Sequence, residues 1–180
     1  MTQTFPGFNS PAAGFDEPLE LLSACHDKLR SRCDTLSRLP AHLAAHGADE
    51  QAKSAAQNIL RYFDGPALFH HADEEQDLFP ALLEAVGGSD AVCLRELFDR
   101  LTAEHRQLEN RWHRLRPALL QIQEGTAAEL PKNEIEHFIQ EYADHLITED
   151  EELLPMAHRL LPASSLEHMG KAMHHRRNPG

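Results

Sequence analysis

The sequence predicts an all-α protein: an antiparallel up-down-up-down four-helix bundle with a short extra C-terminal helix. Three observations carry this reading. Leu, Ala, Glu, Gln and Arg abound while isoleucine and valine are scarce, a balance that favours helix over sheet. Apolar residues recur at steps of three and four along four long segments. Gly and Pro fall in short clusters, mostly between those segments, so connections are short and neighbouring helices run antiparallel. With 180 residues, 41% of them hydrophobic, the chain can fill one real core.

Residues 1–15 read as a flexible or loosely docked lead-in, 16–162 as the bundle, and 163–180 as a short helix with a basic tail. Asp16 is placed to cap the first helix, with Pro18 in the first turn, where its missing N–H costs nothing. The seam of that helix runs Leu19, Leu22, His26, Leu29, Cys33, Leu36, and Pro40 and Gly47 mark its end and a loop. The second helix extends from about Asp49 to Val86, kinked or briefly broken by Asp64-Gly65-Pro66. Its seam reads Leu60, Phe63, Ala67, His70, Glu74, Leu78, Ala81. Gly87-Gly88-Ser89 reverses the chain, with Ser89 as the next cap.

The third helix has the cleanest seam: Leu94, Phe98, Leu101, His105, Leu108, Trp112, Leu115, Leu119. Pro117 should bend its last third, and Gly125 to Pro131 turns the chain. The fourth carries Phe138, Tyr142, His145, Glu149, Leu153 and Met156, with a bend expected near Pro155. A final helix starts at Ser164 or Ser165. His174 and His175, beside Arg176 and Arg177, read as a frayed surface tail.

A formal charge of −12 argues against nucleic acid as a partner, because phosphate binding needs a basic surface. No apolar run approaches the ~20 residues that span a bilayer, and the N-terminal stretch lacks the basic and apolar regions of a secretory signal. Cys25, Cys33 and Cys93 are odd in number, without CxxC spacing. Reduced thiols in a cytoplasmic protein, a monomer or homodimer, fit best. Cys25 beside His26 reads as a packing residue, with a redox-sensitive thiol as the sharper alternative.

Thirteen histidines are the compositional anomaly. Every helix breaks its apolar stripe near its middle with groups able to bind metal: His26 on the first, His70 and Glu74 on the second, His105 on the third, His145 and Glu149 on the fourth. Unpaired in a core, each would cost several kcal/mol; a shared cation removes that penalty. The depths agree. His70 before the Gly87-Gly88 turn and His105 after it both stand roughly 23 Å from that end at ~1.5 Å per residue. His70 and Glu74 are four apart, as are His145 and Glu149, so each pair shares a helix face. The segments repeat in outline, HHADEEQDLFP against HLITEDEELLP, each with Leu eight and Pro ten residues after its histidine. Four imidazoles and two carboxylates suit two ions bridged by the carboxylates, with iron, manganese or zinc favoured over calcium or magnesium. Asp73, Glu75 and Glu104 read as carboxylates that orient imidazoles or face solvent. Trp112, Phe98 and Tyr142 read as core or pocket lining, with Tyr142 as a donor to a metal-bound oxygen the sharper alternative.

These motifs resemble those of the hemerythrin-like (HHE cation-binding) domain family. HHADEEQDLFP resembles its second-helix signature, AEHRQLENRW its third-helix Glu-His element, HLITEDEELLP its fourth-helix repeat, and CHDKLR supplies the first-helix histidine. The resemblance spans roughly residues 17–160. It implies two iron ions in an oxo- or hydroxo-bridged non-haem centre. His26 and His70 would serve one ion, His105 and His145 the other, with Glu74 and Glu149 bridging and O2 or NO as the small ligand. Oxygen-carrying hemerythrins have a second histidine four residues after the third-helix ligand, where this chain has Glu109. They also use an aspartate at the position of Asp150, although Glu149 fits the HHE form better. The expectation is a more open or carboxylate-rich site and a sensor of O2, NO or iron rather than an oxygen carrier. Glu109, Asp150, His71 and His46 are further candidate ligands. Two alternatives stand beside this: a di-iron oxidoreductase acting on peroxide or nitric oxide or supporting iron–sulfur repair, and an interaction module stabilised by zinc or holding no metal.

Overall fold

The structure is a computed structural model and describes residues 14–88, 90–126 and 129–179. The expected cap Ser89 and most of the lead-in lie outside the described residues. Eight α-helical stretches and two π-turns follow one another, with no strand among the described residues. They are α1 (Pro18–His46), α2 (Glu50–Phe63), α3 (Pro66–Asp73), α4 (Phe79–Ala85), α5 (Asp90–Gln123), α6 (Lys132–Thr148), α7 (Leu154–Leu160) and α8 (Ala163–Arg177). The π-turns, Glu74–Leu78 and Glu149–Leu153, join α3 to α4 and α6 to α7. Thus α2 to α4 form one long bundle member, and α6 with α7 another. Contacts close a ring from α1 to α2 to α5 to α6 and back to α1, the four-helix bundle that the seams predict.

Several local expectations are corrected. The residue capping α1 is Glu17, not Asp16, and its side chain makes no cap hydrogen bond. Pro40 does not end α1: the helix continues six residues to His46 and stops at Gly47, whose φ of 67° suits a residue without Cβ. Pro117 falls inside α5, as its place in the seam implies, and the helix runs on to Gln123. Asp49 caps α2 by accepting from the Ala52 amide at 2.9 Å.

The break at Asp64-Gly65 is real, and α5 fastens it. The Trp112 indole N–H donates to Asp64 at 2.9 Å, and the Arg116 guanidinium reaches the same oxygen at 2.9 Å. Asp64→Ala is expected to lower stability by about 1 kcal/mol in urea denaturation, the partial exposure of Asp64 keeping the loss small. An unchanged midpoint would show that the break is held by packing alone.

Proline explains the π-turns. Pro80 and Pro155 each stand second in the helix that follows a π-turn. In a regular α-helix their rings would clash with the carbonyl four residues back. Widening the turn by one residue moves that carbonyl away, and Phe79 and Leu154 donate instead to Glu74 and Glu149, five residues back. The bend expected near Pro155 is therefore a π-turn, Pro80 follows a second one, and each begins at a seam glutamate.

The core divides in two. One apolar cluster holds Leu29, Leu36, Phe63, Trp112, Leu115 and Phe138 among others. The second holds Leu19, Leu22, Leu78, Phe79, Phe98, Leu101 and Leu153. Along each of the four bundle members the histidine–glutamate layer falls where one cluster gives way to the other. Near one end, α8 packs against α1 and α3. Gly170 lets the segment before α1 cross α8 closely, since a Cβ there would lie 2.0 Å from the Phe15 carbonyl oxygen.

Candidate metal centre

All six predicted residues meet in the interior. His26, His70, Glu74, His105 and Glu149 are 0% exposed and His145 is 2% exposed. They form two overlapping groups, His26, His70, Glu74 and Glu149 on one side and His105, His145, Glu74 and Glu149 on the other. Within each group the potential ligand atoms lie within 4.8 Å of one another. The two carboxylates belong to both. Glu149 reaches all four rings, with Nε2 of His145 at 2.8 Å, His26 at 3.2 Å, His105 at 3.6 Å and His70 at 3.9 Å. Glu74 lies 3.3 Å from His105, 3.5 Å from His70 and 3.9 Å from His26.

These atoms are close without satisfying one another. Nε2 of His26 and His70 and all four carboxylate oxygens of Glu74 and Glu149 are buried and make no hydrogen bond. The rings are meanwhile gripped from outside. Asp150 holds Nδ1 of His26 at 2.6 Å, Glu75 that of His105 at 2.7 Å, and Glu104 that of His145 at 2.8 Å. A carboxylate on Nδ1 fixes the proton there, so each Nε2 presents a lone pair inward. His105 and His145 face each other through their Nε2 atoms at 3.1 Å. Two lone pairs at that separation repel unless positive charge stands beside them. The donor set therefore fits a cation, and buried polar groups in such number are otherwise costly.

A profile of the family described as Hemerythrin HHE cation binding domain matches residues 17–157. The chain belongs to the hemerythrin HHE cation-binding family. It is also 36% identical over 165 residues to an uncharacterized protein of Haemophilus influenzae, covering 92% of each chain.

Four residues that the sequence offers as further ligands or donors lie outside the two groups. Glu109 is in neither group; it accepts from Arg106 at 2.8 Å and faces Nδ1 of His71 at 3.3 Å. Asp150 stands outside the groups too, holding His26 and paired with Arg30. His46 is exposed at the end of α1 beside His42. Tyr142 packs edge-on to Phe138 in the apolar core, its ring 6.4 Å from that of His71. Asp73 neither orients an imidazole nor faces solvent. Fully buried, it is paired with Arg176 and, at 2.5 Å, with Arg177. The C-terminal arginines, expected to fray, instead close the last turn of α8 over α3.

His71 itself is buried, stacked on His105 with ring centroids 4.0 Å apart. Burial lowers its pKa to about 4, so the ring is neutral. His70 alone among the inner rings has no hydrogen-bond partner at Nδ1. Burial pushes the neighbouring Cys25 thiol up, but His70 beside it brings it below its ordinary value.

Without metal, protons take the cation's place. Burial opposes charge on His26, but Glu149 and Glu74 raise it to about 9. The same carboxylates with Glu75 raise His105 to about 11 against burial. Burial and Glu149 work against ionisation of Glu74, yet His70, His105 and His26 bring it down to about 2. The imidazolium contribution is complete below the ordinary value of 6.5 and is lost as pH rises through about 9 and about 11. The carboxylate contribution is complete above 4.5 and lost as pH falls through about 2. Neutral His71 works the other way, its contribution complete above 6.5 and lost as pH falls towards about 4. Metal-free protein is thus expected to melt highest near pH 6.5 and to weaken towards pH 9. Metal expels those protons, so the stabilisation it brings should grow from pH 6 to 8. Calorimetry with and without chelator checks both; a metal-free melting temperature that rises steadily above pH 7 would contradict the assignment.

Proposed function

We propose that this protein is a cytoplasmic non-haem di-iron protein that binds or senses O2, nitric oxide or iron. His26 and His70 would hold one ion, His105 and His145 the other, and Glu74 and Glu149 both. The observation that carries this is the set of orphaned inward atoms. Imidazole nitrogens from four helices and four carboxylate oxygens converge, and Nε2 of His26 and His70 and all four oxygens have no hydrogen-bond partner. Imidazole with carboxylate suits iron, with zinc and manganese the competing occupants. When bound, a pair of iron ions supplies electron exchange and coordination of a small ligand such as O2, nitric oxide or peroxide. The chain's own residues hold the ions in a dry layer between two apolar clusters, and the outer carboxylates fix every ring but His70.

Protein from iron-replete cells should carry two irons per chain by elemental analysis and show the absorption of a bridged ferric pair in air. Zinc alone, or no metal, would overturn the reading. A second reading, an oxidoreductase consuming peroxide or nitric oxide, is favoured by the exposure of the outer carboxylates. Glu75, Glu104 and Asp150 are 19–30% exposed, so a proton on each Nδ1 is one carboxylate away from water. Turnover faster than that of free iron separates the enzyme from the sensor.

A further inference from the structure

We infer that His71 is a fifth imidazole ligand, held on the His105/His145 side of the site. The inference rests on the di-iron reading and extends it to the inequivalence of the two ions.

Three independent features of the ring agree. A nitrogen of His71 groups with those of His105 and His145, all within 4.8 Å of one another. Its Nε2 is buried and makes no hydrogen bond. Its Nδ1 faces Glu109 at 3.3 Å, the same outer arrangement that Asp150, Glu75 and Glu104 give to His26, His105 and His145. A carboxylate behind Nδ1 and a bare Nε2 in front is how a ligand histidine is prepared. A histidine serving only to pack would leave that Nε2 with a desolvation penalty and nothing to offset it. The stacking on His105, with the planes 10° apart, sets the two rings side by side facing the same ion.

The helix explains the direction. Residues 70 and 71 are about 100° apart around α3. His70 therefore faces His26, ring centroids 4.8 Å apart, while His71 turns towards α5. Glu109 and Arg106 on α5 and Glu75 on the first π-turn then form one chain of contacts around the His71–His105 pair.

The consequence is asymmetry. One ion would have three imidazoles and two shared carboxylates, five protein ligands. The other would have only His26, His70 and the carboxylates.

The test uses His71→Phe, which keeps a flat ring and removes the nitrogen. Both proteins are loaded with ferrous iron and oxidised. The wild-type Mössbauer spectrum should show two distinct iron environments. In the variant, one iron should be lost to chelator about 10- to 100-fold faster, with a change in only one of the two signals. Unchanged release and spectra in a folded variant would overturn the role of His71 and leave the di-iron reading standing. Wild-type protein holding fewer than two irons would overturn both. Should His71→Phe fail to fold, zinc-loaded wild-type protein answers instead. Nitrogen NMR should report His71 Nε2 as metal-bound, and a free nitrogen signal would overturn the inference.

Discussion

Glu149→Ala is expected to abolish binding of a second metal ion and to destabilise the metal-free protein by about 3–5 kcal/mol. No other side chain in the site touches as much. Glu149 lies within 4 Å of Nε2 of all four imidazoles at once, whereas Glu74 meets three. With metal, its loss removes a ligand from both ions. Without metal, it leaves rings that were held protonated with a single carboxylate among them, in a layer from which water is excluded. Iron content and chelator-treated urea denaturation give the two readouts separately. A variant that keeps two ions would show that Glu149 is a neighbour of the site and not a bridge across it.

The double variant Arg176→Ala with Arg177→Ala is expected to destabilise the protein by about 3 kcal/mol, although both residues stand at the chain's far end. Asp73 is completely buried, and these two guanidiniums are the partners of its carboxylate. Removing them strands a charge directly before Glu74. Adding Asp73→Asn to the double variant should recover most of the loss, because the uncompensated charge is then gone. Urea denaturation of the three proteins measures this. A double variant as stable as wild type would mean that Asp73 finds water or another cation.

How far these features could be read from the sequence follows from the range over which each is determined. The seams of α1, α5 and α6 and the six inward groups rest on helical spacing, a local property, and each of those groups lies where its spacing places it. The π-turns are local too, and their mark was visible as a proline ten residues after His70 and after His145. Proline has several ways of being accommodated in a helix, however, and only tertiary packing selects among them. Pro40 and Pro117 show another outcome, an α-helix that extends past the proline with no π-turn. Asp73 and Arg176 were illegible for a different reason. Their pairing spans about a hundred residues, and neither charge announces in sequence that it will be desolvated. The role of Glu109 turned on one neighbour. Its position relative to His105 made it a candidate ligand, while the ring it faces, His71, comes from another helix at an adjacent register.

The division of the apolar core by the histidine–glutamate layer also bears on cooperativity. Each cluster draws on all four bundle members but is internally apolar, and the layer between them is the weakest cement in the molecule when its charges are balanced only by protons. Metal-free protein should then open in two steps under native-state hydrogen exchange. The half holding Phe63, Trp112 and Phe138 would keep its amides protected after the half capped by α8 has begun to exchange. Cations gripping all four helices at the layer would merge the two steps into one, so the ions would act as rivets that set the size of the unit that unfolds.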